Sequence, residues 1–291
     1  MKLLSFGEIL WDVYPDGKYI GGAPLNFAAH YAKQTGSAWM LSSVGNDELG
    51  AEALKRLSAW GIGTDYVSVL DGIPTGQCLV TLDESSVPSY ELLSNVAYDL
   101  IGGELHEDAR FDAIYFGTFA LRSKSNLRFL EDLLEKQRFN EIVVDINIRP
   151  PHYSAESVSF ALSRATLLKI SDEELPAVAK TAGLTCDGNL PSVARSFCDR
   201  FPQIRLLLIT QGEKGSLAYE RKSDKCYSAS APRVTPVSTV GAGDSFAASF
   251  SAAYFGGADI QSSLDRAAKV SAFVVSQRDA VPDYPCGLIT P

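Results

Sequence analysis

Short apolar runs rich in β-branched residues alternate with amphipathic stretches from one end of the chain to the other. Residues 3–9, 38–44, 66–70, 77–82, 113–116, 142–146, 167–170, 205–210 and 216–219 have the length and flanking residues of strands. Between many of them, stretches such as 51–60, 127–138, 173–181 and 243–254 space their apolar residues as a helix face does. This alternation predicts a mostly parallel sheet covered by helices on both faces. Ligands of such sheets bind beyond the carboxyl ends of the strands, where the loops enter the helices.

Two regions interrupt the pattern. Residues 71–95 show no helical period, and the run from Gly76 to Asp83 reads as strand, turn, strand. Residues 11–20 read as a second hairpin-like piece. A small sheet projecting from the main body is expected, with lid segments at about 12–20 and 71–98. With no Pro- or Ser-rich linker, internal repeat or low-complexity tract, the reading is one domain over 1–291 that carries this lid.

Composition narrows the classes. A chain of 291 residues that is 46% hydrophobic can bury a core without disulfides or a structural metal. A net charge of −9 argues against nucleic-acid or anionic-membrane partners. The five cysteines form no CxxC pair and read as free thiols of a reducing, cytoplasmic protein. Three scattered histidines make a histidine-based metal site a poor reading. No run approaches the roughly 18 apolar residues of a membrane span, and the amino terminus has no cleavable leader pattern.

The sharpest chemistry lies in Thr239-Val240-Gly241-Ala242-Gly243-Asp244-Ser245-Phe246, followed by an apolar helical stretch. Small residues feeding a helix start let the backbone approach a ligand closely, and successive N–H groups there form an anion site. A carboxylate inside that turn would repel a bound phosphate, which makes sense if Asp244 is a base for a hydroxyl attacking that phosphate. On these residues alone, a base and a plain helix cap are equal readings. There is no GxxxxGK[ST] and no GxGxxG.

The turn resembles the carboxy-terminal signature of the ribokinase-like (PfkB) sugar kinases. Gly21-Gly22-Ala23-Pro24-Leu25-Asn26 resembles their amino-terminal motif, Val44-Gly45-Asn46-Asp47-Glu48-Leu49-Gly50 resembles the segment after it, and Asp12 matches a carboxylate that accepts from the sugar. The matches run from about residue 4 to residue 280 in the family's order. The resemblance implies a ribokinase-like three-layer α/β/α sandwich with a mostly parallel central sheet and a small β lid. It further implies transfer of the ATP γ-phosphoryl to a sugar, with Mg²⁺ on the phosphates. Asp244 is then the base, Gly241, Ala242 and Gly243 the anion hole, and Asp12, Gly22 and Asn26 the sugar contacts. Lid sheets of such kinases often pair, so a homodimer through the lid is expected.

Further segments carry two readings each. Asp145-Ile146-Asn147-Ile148-Arg149-Pro150-Pro151 is either an ordinary polar strand end or, as in bacterial fructokinases, a functional edge. An extended segment would put Asp145, Asn147 and Arg149 on one face, Asn147 toward the nucleotide and Arg149 clamping a phosphate or the substrate. Ser171 and Glu174 form a plain capping box, or Glu174 acts through water on Mg²⁺ while Lys169 faces the phosphates. Thr210 and Gly212 stand where the family contacts ATP. Tyr98, in Ala97-Tyr98-Asp99, covers the sugar or packs the lid hinge; Arg122 touches the ligand or lies on the surface. Ser238 and Asp279 depart from the pattern expected of a monovalent-cation loop, which weakens the expectation of K⁺ activation. Fructose is the acceptor these resemblances imply. Ribose, 2-keto-3-deoxygluconate, a nucleoside, or a sugar sensor without turnover remain alternatives.

Overall fold

The computed structural model describes residues 1–82, 88–107 and 109–289. The chain opens with β1 (Leu3–Phe6), the hairpin β2 (Leu10–Tyr14) and β3 (Gly17–Gly21), then α1 (Ala23–Thr35), β4 (Ala38–Gly45), α2 (Glu48–Ala59) and β5 (Ile62–Leu70). Next come β6 (Gly76–Leu82), β7 (Pro88–Leu92), β8 (Ala113–Gly117), α3 (Lys124–Lys136), β9 (Glu141–Asp145), α4 (Ala155–Arg164), β10 (Leu167–Ser171) and α5 (Leu175–Ala182). The last third holds α6 (Leu190–Arg200), β11 (Leu206–Thr210), β12 (Ser216–Glu220), β13 (Lys225–Ala229), α7 (Ala242–Phe255) and α8 (Ile260–Val275).

The large sheet has the order β13-β12-β11-β10-β9-β8-β1-β4-β5. It is parallel from β5 to β11, and only the β11–β12 and β12–β13 pairs are antiparallel. Both faces are covered, so its strands are apolar on both sides and consecutive residues divide between two cores. Leu3, Tyr115 and Val143 face α1, α2, α7 and α8, among Phe27, Leu57, Phe250 and Leu264. Their neighbours Leu4, Ile114 and Val144 face α3 to α6, among Leu130, Leu162, Val178 and Phe197. A three-layer α/β/α arrangement, as expected, follows from that division.

Strand β1 sits inside the sheet, bonded to β4 on one side and β8 on the other. The connections beyond β1 and β8 leave in opposite directions and open a crevice at their carboxyl ends, the position where doubly wound sheets bind ligands. The loops after β1, β8, β9 and β10 all end at this edge.

The small sheet has the order β3-β2-β6-β7, with antiparallel outer pairs and a parallel β2–β6 pair between them. Where a strand-turn-strand was expected from Gly76 to Asp83, the described part, Gly76–Leu82, is one strand. Cys78 and Val80 alternate inward onto Leu10, Val96, Tyr98 and Phe119, a period-two pattern that favours one extended segment over a turn. The first hairpin runs a residue or two past the expected 12–20 at each end. Residues 83–87 of the expected lid lie outside the described residues. No helix among the described residues is long and apolar enough to cross a membrane.

Candidate active site

The site is built from the β1–β2 loop upward. Gly22 starts helix α1 with φ of 116°, and a Cβ there would come within 2.4 Å of the Glu8 carbonyl oxygen. Only glycine fits that approach. Gly22 has no side chain to cap the helix, and the carboxylate of Glu8 does so from the neighbouring loop, accepting from the Ala23 N–H at 3.1 Å. The helix so placed carries Asn26, which is 3% exposed and donates through Nδ2 to Asp244 Oδ2 at 2.9 Å.

Asp244 lies in the first turn of α7 and is half-buried. Burial raises its pKa above the ordinary carboxylate range, against the Asn26 hydrogen bond and the charges of Lys169 and Arg149. The turn before it holds Gly241 at φ of 78°, backed so closely onto Ala280 that a Cβ would meet the Ala280 carbonyl oxygen at 2.8 Å. On the open side, a Cβ on Gly243 would lie 3.0 Å from Lys169 Nζ. Lys169 comes from β10 and is itself gripped by both carboxylate oxygens of Asp145, at 2.9 and 2.8 Å. Burial favours its neutral amine, yet the carboxylates of Asp145 and Glu174 outweigh this and hold it charged. A fixed ammonium therefore stands beside the N–H groups of a helix start, a composite anion site.

The segment after β9 departs from the expected extended strand. Asn147 has φ of 45°, a left-handed conformation that asparagine tolerates, so Asp145, Asn147 and Arg149 do not share one face. Asp145 points to Lys169, while Arg149 is exposed and its charge lowers the pKa values of Glu8, Asp12 and Asp244. Glu174 secures this loop: Oε1 accepts from the Ile148 N–H at 2.6 Å and Oε2 from the Ser171 N–H at 2.8 Å and hydroxyl at 2.9 Å.

Two cavities flank the turn. One of about 960 Å³ is lined by Lys169, Thr210, Gly212, Ala242 and Gly243, with an apolar wall of Val234, Ala268, Ala272 and Val275. The other, of about 790 Å³, lies against the small sheet and is lined by Asp12, Tyr19, Val240 and Arg278 among others. Burial raises Asp12 to about 6, although the Cys78 thiol hydrogen-bonds it. Arg278 of the 277–280 segment pairs with Asp16 at the tip of the β2–β3 hairpin.

Two residues that each carried a ligand reading and a plainer one are held by the protein itself. Tyr98 is 0% exposed, packed under β6 with its hydroxyl on the Leu93 carbonyl, and so belongs to the lid hinge. Arg122 is not an exposed surface residue: it binds Asp99 through Nε at 2.8 Å and Nη2 at 3.0 Å and lies over the Tyr98 and Phe119 rings.

With this geometry in place, the profile of pfkB family carbohydrate kinases matches residues 8–285. The chain belongs to that family. It is similar to probable fructokinase-5 of Arabidopsis thaliana, 25% identical over 273 residues that cover 85% of this chain and 81% of that one. It is similar also to a deoxyribokinase of Salmonella typhimurium, 26% identical over 265 residues, 91% of this chain and 84% of that one. Among solved structures, a Vibrio cholerae fructokinase bound to fructose, ADP and calcium superposes with a TM-score of 0.78 at 23% identity, over 96% of this chain and 94% of that one.

For a pfkB family kinase, the sequence reading missed Glu8 and the apolar wall of the larger cavity. Ala268, Ala272 and Val275 follow helical spacing in α8, a signal that core packing produces equally.

Proposed function

We propose that this kinase transfers the γ-phosphoryl group of ATP to a hydroxyl of fructose, in one catalytic domain whose small sheet acts as a lid. The observation that carries the reading is the Gly241-to-Asp244 turn, where an N–H cradle, the Lys169 ammonium and a carboxyl of raised pKa converge. The larger cavity suits ATP: apolar side chains for the base at one end, the cationic cradle for phosphates at the other. In the step, the acceptor oxygen bonds to the γ-phosphorus as the bond from phosphorus to the ADP oxygen breaks. The acceptor's proton passes to Asp244, and the electron pair leaves with ADP. Asn26 keeps the base aimed; Asp12 and the Gly22 backbone orient the sugar; Arg149 and Asn147 face the phosphates.

Mg²⁺ belongs to the reaction as the ion carried by the nucleotide phosphates, where it neutralises charge. Among the described residues no group of three His, Cys, Asp or Glu side chains is placed to hold a metal. Glu174, through water, is the residue that would face it.

Fructose is supported by the fructokinases among the relatives; a deoxypentose is the second reading, supported by the deoxyribokinase match. The same proposal includes a homodimer through the small sheet, which sedimentation as a monomer would remove, and a cytoplasmic setting. The test is ADP release with Mg·ATP across fructose, ribose, deoxyribose, 2-keto-3-deoxygluconate and adenosine, with Asp244→Asn beside the native protein. We expect fructose-dependent release that the variant loses by about 10²–10⁴-fold. Release with another acceptor would replace the substrate, whereas near-normal turnover by Asp244→Asn would remove the mechanism.

A further inference from the structure

Helix α1 carries a second polar side chain that the chemistry above leaves unused. His30 follows Asn26 by four residues, so the two lie one turn apart on the same face. Its ring is fully buried and both nitrogens are engaged. Nε2 lies 2.8 Å from the Ala280 carbonyl oxygen and Nδ1 lies 2.5 Å from the Tyr284 hydroxyl. A carbonyl only accepts, so Nε2 carries the proton; the neutral ring then accepts at Nδ1, and the Tyr284 hydroxyl donates. Burial pushes the imidazole down to about 4, which keeps it in this neutral form.

The Ala280 oxygen that His30 holds is the atom against which Gly241 is packed. Helix α1 therefore grips the turn at both ends. Asn26 holds the carboxylate of Asp244, and His30, through Ala280, backs the main chain at Gly241. Lys33 extends the grip by donating to the Pro282 carbonyl at 2.8 Å.

We propose that His30 is a positioning residue for phosphoryl transfer, which sets the height of the Gly241, Ala242 and Gly243 N–H groups by fixing the Ala280 carbonyl. The inference rests on the kinase reading above. Loss of the ring N–H leaves a buried carbonyl without its donor and lets the 277–280 segment recede from Gly241. Preorganised donors displaced by about 1 Å lose transition-state stabilisation far more than they lose ground-state binding.

His30→Leu removes the donor, and His30→Gln keeps a neutral N–H at similar reach. We expect His30→Leu to lower kcat by about 10–100-fold, with KM for sugar and for Mg·ATP within about threefold, and His30→Gln to recover most of the rate. Unchanged kcat in a folded His30→Leu, or a loss confined to KM, overturns the proposal. A second readout does not depend on turnover: hydrogen exchange at the Ala242 and Ser245 amides, which bond Thr239 and Gly241. Faster exchange in His30→Leu, reversed in His30→Gln, supports the inference. Native exchange in His30→Leu overturns it even if the native protein phosphorylates no sugar, a result that would separately remove the kinase reading. Should His30→Leu fail to fold, His30→Met removes the same ring donor to the Ala280 carbonyl with a more flexible apolar side chain. It must then lower kcat at constant KM, and an unchanged kcat overturns the proposal.

Discussion

Burial raises the pKa of both Asp244 and Glu8, with different consequences. Asp244 is half-buried and braced by Asn26, and in the mechanism proposed above its raised pKa suits a proton acceptor. Glu8 is 3% exposed, and its Oε2 has no hydrogen-bond partner among the described residues. Burial pushes its pKa from 4.5 to about 7, despite the hydrogen bonds it accepts from backbone N–H groups. A raised carboxyl binds its proton more tightly when folded, so its stability contribution is complete below pH 4.5 and is lost as pH rises through about 7. The loss is on the order of 3 kcal/mol. Unfolding of the native protein and of Glu8→Gln, followed from pH 4.5 to 8, should show the native curve falling relative to the variant; parallel curves would count against a confined Glu8. Asp244 was legible because its motif places a charge where a bland turn has none. The role of Glu8 was not, because it depends on a loop and a helix start that only the fold brings together.

At the scale of elements, the start of α1 is the most constrained joint. Gly22→Ala puts a Cβ into the Glu8 carbonyl at a backbone angle that only glycine adopts freely. A loss of about 3 kcal/mol, or roughly 5–10 °C in Tm, is expected by calorimetry; a shift under about one degree would mean the loop yields without cost. Strands buried on both faces announced themselves as apolar runs. β13 did not, because most of its residues are exposed on an edge strand. The 146–149 segment was misread as extended because proline and polar alternation describe a strand end, whereas Glu174 holds the Ile148 N–H and the backbone turns at Asn147.

For the whole molecule, strand–helix alternation was enough to indicate layers and parallelism, but not strand order, which depends on long-range pairing. That order has a consequence for how the chain is made. β1 emerges among the first residues yet needs 38–45 on one side and 113–117 on the other before its ladder is complete. The Asn26–Asp244 hydrogen bond then spans 218 positions. The amino-terminal half must therefore leave the ribosome with the face of α1 that receives α7 still uncovered. Long loop closures are slow, so activity is expected to be the last property regained on refolding. Far-UV ellipticity should recover before ADP release does, and simultaneous recovery would argue against a late docking of α7. Competence of this enzyme is thus a property of the finished chain: a nascent or truncated one lacking the final helices has Asn26 but not the Asp244 carboxylate that Asn26 holds.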